Sequence, residues 1–396
     1  MGRILLRPDT LDHGYVPERL PTRENIRREL LDEIRWFYGA PGGFRGILIH
    51  GAVGSGKTVL ARRICEDLKG VFGDDIITCY VNCRFSGRIY RVLAEIARQI
   101  SEDLPSRGLS RDEFIELIFL AAKERSSRML IVLDEIDALF KGEEAAKTND
   151  ALYSISRYAE GGRHSGLSMV AICISRDIDF VYKWLDEATR ASLIKSTKYL
   201  EPYKAEDLFE ILSYRASLAF RLGSVDDDIL RQISRIVYTH NRGNARTAID
   251  LLRIAGEIAE MQGDDTIKAE HLRLAIREYA PIPSVDIESL HALGRHKLLL
   301  LLAIVEALKN LGGTYVTKQQ VQEFYRELCY EYNENPRKNT QTWRYLKELE
   351  YELGGLLDVC VSGKNQKGRS TRIAVNAPLD CLENTIRRLL EGRRLY

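Results

Sequence analysis

The chain has 396 residues, of which 45% are hydrophobic and 29% charged, with a net charge of +1. That length exceeds one ordinary core and implies two or three domains, and the composition excludes a disordered or fibrous chain. The balanced charge excludes a globally basic nucleic-acid binder, so any such contact must come from local patches.

The seven cysteines are odd in number, scattered, and form no C-x-x-C pair. A disulfide framework or a zinc site is therefore not expected, and a reducing, cytoplasmic setting is. The longest apolar run, Leu298 to Val305, is bounded by Lys297 and Glu306 and is too short to cross a bilayer, so no membrane partner is expected. No signal peptide is apparent.

In chain order, residues 1–20 carry Pro8, Gly14 and Pro17 and read as an irregular arm. A helix follows, with Thr22 as its cap and Ile26, Leu30, Ile34 and Phe37 on one face. Phe44 to His50 reads as a buried strand. Next come Gly51, Ala52, Val53, Gly54, Ser55, Gly56, Lys57 and Thr58, which fit the phosphate-loop pattern G-x-x-x-x-G-K-[ST]. Val59 to Leu68 is apolar at helical spacing. A strand, a glycine turn and a helix start are what phosphate binding needs, because backbone N–H groups and the helix dipole converge on the anion. This segment, Gly51 to Val59, is expected to hold ATP or ADP. Lys57 would neutralise the β- and γ-phosphates, and Thr58 would hold Mg²⁺.

The partner motif is Met129 to Leu133, an unbroken apolar run that reads as a central parallel strand, followed by Asp134, Glu135 and Asp137. Asp134 would hold Mg²⁺ and Glu135 would polarise the attacking water. The bland alternative is a strand ending in a solvated acidic turn. Candidate strands at Ile47–His50, Ile76–Asn82, Met129–Asp134 and Leu167–Ser175 alternate with helices and make residues 21–200 a doubly wound parallel sheet. Strand signals stop near Ser192 to Leu200.

Residues 201–280 read as an α-helical lid. Within it, Gly243 and Asn244 precede a helix whose first turn holds Arg246. A cation is unfavourable there for the helix dipole, which suggests an anion nearby. The expectation is that Arg246 reaches the γ-phosphate; the alternative is an ordinary surface arginine.

Residues 281–396 begin with the linker Ala280–Ser284 and read as three helices and a hairpin, the order of a winged helix-turn-helix. The third helix starts near Thr340, with Gln341 and Arg344 outward, and would enter a DNA major groove. The wing carries Lys364, Lys367, Arg369 and Arg372 and no acid between Val359 and Val375, a balance suited to phosphates. The alternatives are a solvated hairpin tip and a winged helix that binds protein.

Together the phosphate loop, the Leu133–Asp137 strand end and the Gly243–Arg246 helix start resemble AAA+ ATPases of the initiator group, and within it the archaeal origin-recognition and helicase-loader family. The segment Arg7 to Glu24 is similar to that family's N-terminal box, and Tyr80–Cys83 to its second strand. The resemblance implies that Val16, Pro17 and Arg23 lie near the adenine. It also implies that a helical insertion within Gly87–Ile100 brings Arg88 and Arg91 to DNA. Its implied partners are double-stranded origin DNA, a replicative helicase and sister initiator subunits, in a nucleoid-associated cytoplasmic setting.

Two positions depart from the family. Where an Asn is usual in the sensor strand, this chain has Arg176 after Ser175, and Ser175 is the candidate substitute. The usual Asp-Pro-Arg phrase reads Asp186-Glu187-Ala188, leaving Arg190 as the candidate to act in a neighbour's site. Both departures point to slow hydrolysis used as a switch. The leading expectation is an ATP-regulated origin-binding initiator. The others are a nucleotide-loaded DNA-binding regulator without helicase loading, and a signalling ATPase whose winged helix binds protein.

Overall fold

The computed structural model describes residues 3–40, 42–105, 108–142, 144–161, 166–279, 287–361 and 370–392. They form two compact units, Gly14–Pro202 and a second built from Met1–His13 with Tyr203–Tyr396.

The Gly14–Pro202 unit runs α1 (Glu24–Tyr38), β1 (Gly43–Gly51), α2 (Lys57–Phe72), β2 (Ile77–Asn82), α3 (Cys83–Ser86), α4 (Ile89–Ile100) and α5 (Arg111–Arg125). It continues with β3 (Arg128–Asp134), α6 (Glu144–Glu160), β4 (Ser168–Ser175), α7 (Asp179–Trp184), α8 (Glu187–Leu193) and β5 (Ser196–Leu200). The sheet order is β2-β3-β4-β1-β5, with every pair parallel. Because side chains alternate across a strand, Ile47, Ile49, Val132 and Ile172 pack with α1 and α2, while Leu48, Ile131, Leu133 and Cys173 pack on the opposite face. Burial on both faces is why these strands read as continuous apolar runs. Helix α4 lies in that second core through Ile89, Val92, Leu93, Ile96 and Ile100.

Strand β5 lies outside the sequence expectation. Its residues Ser-Thr-Lys-Tyr-Leu alternate half-buried and exposed, with only Leu200 fully buried, as suits an edge strand. Pairing with β1 makes it a strand, and Lys198 and Ser196 are held by Glu29 and Glu33 of α1. Thr22 is not the cap of α1. It sits at φ 67°, Arg23 occupies the capping position, and Glu24 Oε1 accepts the Leu20 N–H at 2.6 Å.

The second unit contains α9 (Ala205–Ala219), α10 (Asp227–His240), α11 (Ala245–Gln262) and α12 (Ala269–Glu278). After these come α13 (Ile287–His291), α14 (Arg295–Leu311), β6 (Val316–Thr317), α15 (Lys318–Glu331), α16 (Asn339–Glu352), β7 (Leu357–Val361), β8 (Thr371–Val375) and α17 (Leu379–Gly392). The small antiparallel sheet has the order β6-β8-β7. Part of the expected arm is packed. Ile4, Leu5 and Leu11 are buried in the core of α9–α12, Leu5 bridges Phe220, and Arg215 donates to Thr10 O at 2.6 Å.

The expected linker at 280–284 lies outside the described residues, and the helices before it and the winged helix after it fall in one compact unit. Arg273 of α12 is 3% exposed and donates to Val375 O and Gly313 O, while Gln232 of α10 donates to Asn376. The helical bundle and the winged helix therefore share a buried polar seam, in which each group is costly to leave unpaired.

Asp67 of α2 joins α1 to α2. Its carboxylate accepts from Arg27 Nε at 2.6 Å and from Arg63 Nε at 2.9 Å. Burial alone would raise its titration, but the hydrogen bonds and charges of Arg27 and Arg63 outweigh that and hold it below the usual carboxylate range. Asp67→Asn should lower unfolding free energy by about 2 kcal/mol at neutral pH. A depressed folded-state pKa adds stability above the unfolded value and loses it as pH falls through the folded one. The deficit of the variant should therefore vanish in acid below the ordinary aspartate range, which urea titrations of both proteins would reveal.

Candidate functional site

Parallel register brings the carboxyl ends of the strands to one edge: His50 faces Ser175, Asn82 faces Asp134, and Gly51 faces Leu200. Ligand chemistry in open α/β sheets gathers at that edge. Gly51 has φ 150°, and a Cβ there would lie 2.3 Å from Leu200 O, so only glycine lets β5 approach the loop. Gly54 and Gly56 occupy the left-handed region at φ 79° and 92°. Helix α2 begins with no side-chain cap, which leaves its first-turn N–H groups for an anion. Lys57 Nζ donates to Gly51 O at 2.6 Å and Ala52 O at 2.8 Å, folded over the loop. Ser55 Oγ is buried among the described residues without a hydrogen-bond partner.

Asp134 is 2% exposed and gathers three donors. Thr58 Oγ1 donates to Oδ2 at 2.9 Å, Tyr80 OH donates to the same oxygen at 2.5 Å, and Glu135 N donates to Oδ1 at 2.9 Å. Burial first, and then the Asp134 carboxylate, push the Tyr80 phenol far above its usual titration range, so it stays a donor. The guanidinium of Arg62 lies 4.5 Å from the Tyr80 ring centre. Glu135 has φ 52°, and its Oε1 meets Arg176 Nη2 at 3.1 Å and Arg84 Nη1 at 3.7 Å. The bland reading of a solvated acidic turn therefore fails for Asp134.

A glycine cradle, an orphaned hydroxyl, a lysine and the oxygen pair of Thr58 and Asp134 fit a nucleotide polyphosphate with a hard divalent cation. The structure brings together Gly51 to Val59, Asp134 and Glu135 as the sequence implied. Arg23 is also drawn to this edge. It is 9% exposed and donates to Glu201 O, next to Leu200, while Pro17 is buried and Val16 half-buried in the same unit.

Other candidates lie differently. Ser175 is 1% exposed, and its hydroxyl closes a turn, donating to Asp177 O at 2.7 Å and accepting the Asp177 N–H. That corrects its expected part as a stand-in for the sensor asparagine. Arg190 is half-buried in α8, 5.4 Å from the Tyr182 ring centre. Arg246 is exposed in the first turn of α11, whose cap Asn244 accepts its N–H at 3.0 Å. Arg88 and Arg91 are exposed beside a cleft of about 430 Å³ that Arg111 and Lys147 also line.

In the winged helix, Thr340 and Arg344 are exposed on α16, Arg344 pairs with Glu348, and Gln341 donates to Tyr345 OH. Lys364, Lys367 and Arg369 lie outside the described residues. Arg372 overturns the expectation of a wing cation at DNA. Its side chain is 13% exposed, lies 4.0 Å from the Tyr315 ring centre and faces Asp228 of α10. It belongs to the seam, because alternation along β8 turns it toward the bundle.

Tyr80 and Arg84 were missed as site residues. Their signal was the pairing of β2 beside β3, which sets Tyr80 two residues before the partner of Asp134. Tyr80→Phe keeps the ring but removes one donor from a buried carboxylate. Thermal unfolding should show a loss of about 2 kcal/mol; an unchanged midpoint would mean that the Tyr80–Asp134 bond contributes nothing.

Three family models match in order: an AAA domain over residues 44–176, the Cdc6 AAA+ ATPase-type lid domain over 209–277, and the CDC6 C-terminal winged helix domain over 288–385. The chain is 31% identical to ORC1-type DNA replication protein 2 of Saccharolobus solfataricus, covering 95% of this chain and 91% of that one. Cdc6p of Pyrobaculum aerophilum has a similar structure, with TM-score 0.81 at 30% identity, covering 98% of this chain and 99% of that one. The Aeropyrum pernix ORC1 protein, solved in complex with DNA, matches with TM-score 0.62 at 28% identity over 100% of both chains. Likeness at this level along nearly the whole length makes the kinship plain: the chain belongs to the ORC1-type DNA replication proteins of archaea and is one of their AAA+ ATPases.

Proposed function

We propose that this protein is an ATP-regulated replication initiator that recognises duplex DNA at origins and helps recruit the replicative helicase, with slow hydrolysis as its switch. The observation that carries the reading is one chain joining a phosphate cradle, bonded to Asp134 through Thr58, to a winged helix with Thr340 and Arg344 exposed. The description of the Aeropyrum pernix ORC1 protein in complex with DNA supports it.

In this reading the backbone of Gly51 to Val59 and the Lys57 ammonium hold the polyphosphate, with Val16, Pro17 and Arg23 beside the base. Thr58 and Asp134 hold Mg²⁺, which supplies charge neutralisation on the phosphoryl oxygens. Glu135 orients water and takes its proton. Arg246 stabilises charge at the γ-phosphate and couples the lid to it. Arg190 serves the site of a neighbouring initiator subunit. Arg88, Arg91, Arg344 and the wing residues Lys364, Lys367 and Arg369 neutralise DNA phosphates, and α16 lies in the major groove.

Arg246→Ala should lower ATP turnover by roughly 10²-fold while nucleotide binding largely persists. Unaffected turnover would remove Arg246 from the site. For DNA, the test is to mix the purified protein with sheared genomic DNA at moderate salt and sequence what it retains. Enrichment at one or a few loci is expected. Uniform recovery would reduce the role to backbone binding, and no recovery would assign the winged helix to protein partners. On a recovered locus, Arg344→Ala should weaken binding and flatten the log-affinity against log-salt slope by about 1.

A further inference from the structure

The inference rests on Glu135 as the residue that orients water, and it concerns what holds that carboxylate. Glu135 follows β3 at φ 52° and ψ 45°, a left-handed conformation that a non-glycine residue keeps only where its neighbours over-determine it. Its N–H is bonded to Asp134 Oδ1, so the backbone is anchored. Its side chain meets two guanidinium groups at the same oxygen. Arg176 Nη2 donates to Oε1 at 3.1 Å, and Arg84 Nη1 stands 3.7 Å from it. Arg176 directly follows β4, and Arg84 lies in α3 directly after β2, so the cations come from the two strands that flank β3.

A charge-assisted hydrogen bond fixes the direction of the oxygen that accepts it. A carboxylate pinned at one oxygen also loses freedom to turn toward a nucleophile. We propose that Arg176 is a positioning residue that holds Glu135 away from the attacking water and thereby sets slow turnover, with Arg84 as a weaker second contact. An asparagine in its place would carry no charge to pair with Glu135. The restraint is electrostatic and only partly desolvated, since Arg176 is 48% and Glu135 28% exposed. Salt should loosen it.

The test uses the full chain with ATP and magnesium. Arg176→Asn should raise kcat roughly ten-fold, a fraction of what a positioned base contributes, with KM unchanged. Arg176→Lys, which keeps the charge, should stay near the parent. Raising salt should increase kcat of the parent and leave Arg176→Asn flat. On the nucleotide-free protein, thermal midpoints of Arg176→Asn, Glu135→Gln and the double variant should be non-additive, reporting the pair without turnover. Equal or lower kcat in Arg176→Asn, while Glu135→Gln abolishes turnover, would overturn the restraint and leave Glu135 in its role. Strictly additive midpoints would also overturn it. Full turnover in Glu135→Gln would instead defeat the assignment of Glu135, and the inference with it.

Discussion

Three donors converge on the carboxylate of Asp134, and the Gly14–Pro202 unit is organised around that convergence. Thr58 comes from the first turn of α2, Tyr80 from β2, and the third donor is the N–H of Glu135. One buried charge thus ties the phosphate loop, the neighbouring strand and the turn that aims Glu135. A buried carboxylate is tolerable only when its oxygens are occupied in this way. The bonds exist because β2, β3, β4 and β1 run parallel and in register, so that Asn82, Asp134, Ser175 and Gly51 end at one edge.

Four cations stand at the same edge beside its carboxylates. Lys57 lies over the loop, Arg62 over Tyr80, and Arg84 and Arg176 at Glu135. The two arginines at Glu135 also hold its carboxylate in place.

In the second unit the decisive contacts are polar and buried. Arg273, Gln232, Asn376 and Arg372 join the bundle of α9–α12 to the winged helix, and apolar packing completes each side separately. Directional bonds of this kind specify one arrangement, whereas apolar contact alone tolerates sliding. The orientation of α16 is consequently defined relative to the bundle that carries Arg246.

Local pattern carried the phosphate loop, the apolar strands, the acidic strand end and the helices of the winged module, because each is set by residues within a few positions of one another. The sequence by itself therefore determined the fold class, the nucleotide cradle and the family. Other features depend on partners distant in the chain. Ser196 to Leu200 has no strand character until β1 pairs with it, and Ile4, Leu5 and Leu11 become core only against α9 and α11. Ser175 and Arg372 carried suitable chemistry in sequence, yet the turn with Asp177 and the seam with Asp228 claim them. Tyr80, Arg84 and Arg176 gained their places at Asp134 and Glu135 from strand order alone. Tertiary structure decided these points because a hydrogen bond or ion pair is a property of two residues, and a linear pattern names only one of them.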